Sequence, residues 1–312
     1  MRKKVQRKVK RAVTNFFQQE ASSGMTLLVC AVVAMLIANT SLGPVYERLL
    51  HTELALGPLS MSLLHWINDG LMAIFFFVIG LEIKREFLFG ELKSPSATIL
   101  PIAAAAGGIA VPALFFAAFN MGLPSISGWG VPMATDIAFS LGILAFAAPK
   151  APRAVVVFLT ALAIVDDLGG ILVIAIFYSS ALQLSLLLAS LVVMALLFLA
   201  CKKEISFFPL YLAGGLILWY LFLRGGIHPT IAGVILGLSI PAGTEATHAK
   251  SLLSKVEHRL TPWSAYGVMP IFALSNAGIS LISSSMATFA SPISLGILAG
   301  LFLGKPIGIF GM

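Results

Sequence analysis

The chain has 312 residues, 59% hydrophobic and only 11% charged, with a formal net charge of +7 and a mean hydropathy of +0.99. This composition excludes an ordinary soluble domain and makes lipid the main solvent of the fold. It leaves no soluble surface for a nucleic-acid-reading face, so the basic charge needs a topological explanation and no nucleic-acid partner is expected.

Residues 1–23 carry seven Lys and Arg residues and read as a basic cytoplasmic segment resting on the anionic inner leaflet. The apolar run behind them is too long for a signal peptide and is retained as the first helix. Ten apolar runs follow, at 25–42, 66–83, 97–119, 130–148, 154–178, 182–200, 207–223, 227–240, 263–283 and 292–311. Together, 24–312 read as a single transmembrane transport domain. Lipid supplies no hydrogen-bond partners and the runs are continuously apolar, so the fold class is all-α, a polytopic helix bundle of about ten spans. Residues 52–62 alternate weakly about Gly57-Pro58, a pattern read here as an irregular loop in preference to a hairpin. Seventeen of the twenty Lys and Arg residues lie before the first run or after the second, fourth, sixth and eighth. By the positive-inside rule this alternation places the N-terminus in the cytoplasm. Cys30 and Cys201 fall on different runs and read as packing residues.

All four aspartates of the chain, Asp69, Asp136, Asp166 and Asp167, lie inside or at the edge of apolar runs. A carboxylate at mid-bilayer costs roughly 2.5–3.5 kcal/mol on insertion scales, so such acids mark function. Pro132 precedes Asp136 by about a turn and removes a backbone donor there, which predicts an interrupted helix with carbonyls freed for an ion. Asp166 and Asp167 point about 100° apart on a helix, so one can meet a counter-charge while the other faces a water-filled cavity. Gly169 and Gly170 would let a neighbouring helix approach closely. Lys305 is the one basic residue embedded in a run, and it is the natural partner for an aspartate. Such a cavity must be neutralised by protons or by a small hard cation on oxygen ligands. Competition between the two, with alternating exposure to the two membrane faces, yields cation/proton exchange.

The runs Trp66-Ile-Asn-Asp-Gly-Leu-Met-Ala-Ile-Phe-Phe, Gly80-Leu-Glu-Ile-Lys-Arg-Glu86, Ala134-Thr-Asp-Ile-Ala-Phe-Ser140, Val165-Asp-Asp-Leu-Gly-Gly and Leu303-Gly-Lys-Pro306 closely resemble the NhaA-type bacterial sodium/proton antiporters. The resemblance runs from about residue 15 to the end. It implies an inverted-repeat transporter with a discontinuous helix near Asp136, in which Asp166 and Asp167 bind the sodium or lithium ion and the protons. Lys305 is then the partner of Asp166, with Asp136 and Thr135 at the helix interruption. Glu82, Glu257, His258 and His228 match positions tied to pH regulation. The implied activity is electrogenic sodium (or lithium) for proton antiport in the bacterial inner membrane, with membrane lipid around it and a homodimer as the compatible assembly. It implies no cofactor and no enzymatic reaction. Family members continue through two further helices beyond the Lys-Pro motif, so the resemblance also implies a C-terminally truncated second repeat. An inactive fragment of such an antiporter and a sodium-coupled organic-solute carrier are the alternatives.

Overall fold

The computed structural model describes residues 22–57, 59–93, 95–133, 140, 144, 148, 151–179, 182–280 and 290–312. Helices dominate them: α1 (Ser22–Ala38), α2 (Gly43–His51), α3 (Leu63–Phe89), α4 (Pro95–Asn120), α5 (Arg153–Phe177), α6 (Leu184–Lys202), α7 (Phe208–Gly225), α8 (Thr230–Ser239), α9 (252–276) and α10 (Pro292–Gly311). Six of these, α3 to α7 and α10, are long and apolar enough to cross a membrane, and the pair α1–α2, bent by 111°, would make a seventh. Of the other expected runs, 227–240 corresponds to the ten-residue α8, 263–283 begins in the second half of α9, and 130–148 falls largely outside the described residues.

One expectation is corrected. Within 52–62 two strands pair antiparallel, β1 (Glu53–Leu56) with β2 (Leu59–Ser62), in the register Glu53↔Ser62 to Leu56↔Leu59. Gly57 takes φ +59, a left-handed conformation glycine adopts without a Cβ penalty. The alternation was weak because every residue of β1 is exposed, so no buried face imposed a pattern.

The chain divides into two compact units. The unit containing 31–95 and 171–284 holds α3 against α8. A Cβ on Gly80 would lie 2.6 Å from the Val234 carbonyl oxygen, and one on Gly237 would lie 2.7 Å from the backbone of Gly80. These helices therefore meet backbone to backbone, as small residues allow where lipid offers no hydrophobic drive for association. Around the contact Phe77, Leu81, Leu197, Tyr211, Leu236, Ile240 and Leu253 form a buried apolar core. A π-helical turn at Trp66–Leu71 widens α3, and the Asp69 carbonyl there accepts a hydrogen bond from Trp219 Nε1 at 2.8 Å.

The unit containing 96–170 and 285–312 is organised by four glycines of α10 at intervals of four, Gly296, Gly300, Gly304 and Gly308. A Cβ at Gly296 would meet Asn120 and Phe116; at Gly300, Pro132 and Pro112; at Gly304, Pro112; and at Gly308, the backbone of Gly107 and Gly108. The stripe lays α10 onto α4 and onto the 3₁₀ stretch Pro124–Met133. Asn120, fully buried, ties the end of this contact: its Nδ2 donates to Phe116 O at 2.9 Å and Pro292 O at 3.0 Å, while Ser125 Oγ donates to its Oδ1 at 2.7 Å.

Candidate ion-binding site

The glycine stripe decides where Lys305 goes. A π-helical turn at Gly300–Gly304 immediately precedes it, and the missing side chain at Gly304 lets α10 press on Pro112, so the lysine stem is buried. Its Nζ donates to Asp166 Oδ2 at 2.6 Å, with side-chain exposures of 8% and 3% for Lys305 and Asp166. A second bond runs from Nζ to the Met133 carbonyl. The arrangement couples α5, α10 and the chain leading towards Asp136 through one ammonium group.

A buried pair of this kind is held less by net stabilisation than by the cost of separation, since either partner alone would be an uncompensated charge. Protonation of the carboxylate, or arrival of another cation on it, removes the reason for the ammonium to stay. Asp167, the next residue on α5, is half-buried where Asp166 is fully buried, as the 100° angular offset requires. Gly169 admits the side chain of Ile109, whereas among the described residues nothing approaches the position a Cβ would take at Gly170. Asp136 and Thr135 lie outside the described residues.

The remaining acids and histidines singled out in the sequence fall in the other unit. Arg85 gathers three carboxylates: its Nε donates to Glu257 Oε1 at 2.8 Å, Nη2 lies 3.7 Å from Glu82 Oε1, and Nη1 bonds to Glu86 Oε1. Glu82 and Glu257 are thereby joined through a shared arginine, whereas His258, beside Glu257 on α9, is exposed. His228 Nδ1 pairs with Thr230 Oγ1 at 2.7 Å and interacts electrostatically with Asp69, whose Oδ2 is 3.6 Å from His65 Nε2. Sequence reasoning passed over Arg85, Glu86 and the Met133 carbonyl. The signal available for the first two was their adjacency to Glu82 on a helix that otherwise lacks charge from Met72 to Leu81.

Apolar helices of spanning length and a carboxylate–ammonium pair buried between close-packed helices define a multi-pass membrane protein with a charged pair held away from water. The profile of the Na+/H+ antiporter 1 family matches residues 14–312, and the chain belongs to that family. Among its relatives, the Na(+)/H(+) antiporter NhaA 2 of Clostridium beijerinckii is 55% identical over 317 residues, covering 100% of this chain and 78% of the relative. The Na(+)/H(+) antiporter NhaA 1 of the same organism is 51% identical, covering 100% of this chain and 79% of the relative. The Na(+)/H(+) antiporter NhaA of Aliivibrio salmonicida is 48% identical over 299 residues, 96% of this chain and 77% of the relative.

Proposed function

We propose that the chain exchanges sodium, or lithium, for protons by competition at Asp166 and Asp167. The observation that carries this reading is the buried Lys305–Asp166 bond of 2.6 Å. In the proton-loaded state Asp166 is protonated, or Lys305 holds the proton and pairs with ionised Asp166. A sodium ion arriving at the carboxylates of Asp166 and Asp167 replaces the ammonium as counter-charge and expels the proton. More than one titrating group per cation makes the exchange electrogenic. Asp136 and Thr135, at the helix interruption the sequence predicts, complete the site with oxygen ligands and dipoles.

In the same reading Glu82, Glu257, His258 and His228 set the pH dependence, with the Arg85 cluster as the element that responds. The protein works in the bacterial inner membrane with its N-terminus cytoplasmic, residues 1–23 on the lipid surface and 24–312 as one transport domain. The exposed strand Glu53–Leu56 supports assembly as a homodimer, since an open strand edge is a template for pairing. A solute-carrier role finds no support in the names of the relatives.

The test is sodium-induced recovery of a pH-dependent dye in everted vesicles. Wild-type chain is expected to respond to Na+ or Li+, and Asp167→Asn to lose the response with the protein still in the membrane. An intact response in Asp167→Asn, or none in the wild type, refutes the reading.

A further inference from the structure

One amphipathic helix has no part in the exchange just described. α1, about 25 Å long at roughly 1.5 Å per residue, is nearly as long as the hydrocarbon core is thick, so its end marks a bilayer surface. α2 starts at that level: a Cβ on Gly43 would lie 2.7 Å from the carbonyl oxygen of Ala38, the last residue of α1. The bend between the two helices, 111°, exceeds a right angle, so α2 turns back towards the bilayer that α1 has just crossed. Its direction is pinned. The Tyr46 hydroxyl donates to the Leu274 carbonyl at 2.7 Å, and Asn39 Nδ2, in the bend, donates to Ile279 O at 2.8 Å. A Cβ on Gly278 would lie 2.5 Å from the Tyr46 ring, so the tyrosine rests directly on the chain that follows α9.

These pins give α2 three faces. Gly43 and Leu50 are buried and Tyr46 is half-buried on the side that meets the protein. Leu42, Val45 and Leu49 recur at the i, i+3, i+7 spacing of one helical face, and they are 57%, 54% and 58% exposed. Glu47, Arg48 and His51, all exposed, take the remaining side. An apolar face set beside a charged one, fixed where a span ends and turned back towards lipid, has the form of a helix that lies in the membrane interface.

We propose that α2 docks in the phospholipid interface on the outer side of the membrane, with Leu42, Val45 and Leu49 among the acyl chains and the Arg48 guanidinium on lipid phosphate. Arg48 Nε donates to Pro44 O at 3.1 Å, which leaves its two terminal amino groups for phosphate oxygens. Through Tyr46 and Asn39 the docked helix braces the chain at the end of α9. The leaflet follows from the cytoplasmic N-terminus proposed above; the docking itself does not depend on it.

The probe is the brominated phospholipid bilayer of nanodiscs holding one protein copy each, in a Cys30→Ser, Cys201→Ser background. Bimane attached at Leu49→Cys is expected to be quenched by brominated acyl chains about threefold more strongly than bimane at Glu47→Cys, and aqueous iodide to quench them in the reverse order. Val45→Cys and Arg48→Cys repeat the comparison, so that one poorly folded variant does not decide it. Equal quenching of the two faces by brominated lipid overturns the proposal. Loss of lipid quenching at Leu49→Cys in discs holding two copies gives the face to a second copy of the chain and overturns it as well. A membrane-impermeant maleimide is expected to label Glu47→Cys in intact cells. Labelling in everted vesicles alone counts against the cytoplasmic N-terminus, while the quenching still decides the docking.

Discussion

Arg85 and Glu257 stand 172 residues apart in the chain and 2.8 Å apart in space, Nε to Oε1. The bond ties α9 to the helix that also bears Glu82 and Glu86, so one guanidinium answers to three carboxylates. Neutralising one of them changes the field felt by the other two. Glu257→Gln is expected to move the midpoint of the transport pH profile by roughly one unit, equivalent to about 1.4 kcal/mol of differential interaction, while leaving maximal turnover in place. Dye-based activity measured across pH in everted vesicles checks this. An unmoved profile, or abolished turnover, would contradict it.

Lys305→Met should be among the most destabilising single changes in the chain. It leaves Asp166 buried at 3% exposure without its ammonium, and breaking a buried pair from one side costs about 3–5 kcal/mol. Restoring neutrality with Asp166→Asn in the same protein should recover a large part of the lost thermal stability without recovering transport. Melting of the purified single and double variants separates these contributions; strict additivity of the two changes would mean the bond does not couple them.

Legibility in the sequence follows the physics of each feature. Asp166 and Lys305 stood out because charges in apolar runs are costly wherever the helices go. Their Met133 partner did not, because which backbone carbonyl an ammonium meets is set by how the helices pack and not by residue type. The Arg85 cluster joins Glu82 to Glu257 across a register that no local pattern encodes. The four-residue glycine interval from Gly296 to Gly308 was present as letters, yet which neighbours it admits, Pro132 and Pro112 among them, depends on two helices meeting. Hydropathy windows counted ten runs, but they cannot see that α8 is ten residues long or that α9 starts in a polar stretch. The β1–β2 pair was faint because neither face of β1 is buried.

Gly170 of α5 and Gly308 of α10 should behave differently when given a side chain. A methyl at Gly170 meets nothing within 4 Å among the described residues, and alanine is favoured over glycine in a helix by about 1 kcal/mol, so Gly170→Ala should be neutral or stabilising. Gly308→Ala would drive a methyl into the backbone of Gly107, which cannot rotate away as a side chain would. Overpacking of this kind costs typically about 1–3 kcal/mol. Thermal melting should therefore fall for Gly308→Ala and not for Gly170→Ala, and equal shifts would show that α10 does not rest on α4 as described.

Lys93 and Glu245 form an exposed 2.5 Å ion pair that pins the 241–251 connection to the turn after α3. In the same connection the His248 ring lies 4.1 Å from that of Phe89, and His248 Nδ1 is 3.2 Å from Ala242 O. The Lys93 hydrogen bond, followed by its charge, holds the Glu245 carboxyl below the usual carboxylate range. A lowered folded-state value means that the pair contributes fully above the ordinary glutamate value of about 4.3 and is lost as pH falls through the lowered one. Salt should weaken it in the same direction, because exposed charges are screened over about 10 Å at 0.1 M. Hydrogen exchange in 241–251 should therefore accelerate, after correction for intrinsic rates, on acidification below that range and on raising salt at neutral pH. Glu245→Gln should show the faster rate under all of these conditions while transporting normally. Exchange in Glu245→Gln no faster than in the wild type at neutral pH would show that the pair does not hold the connection.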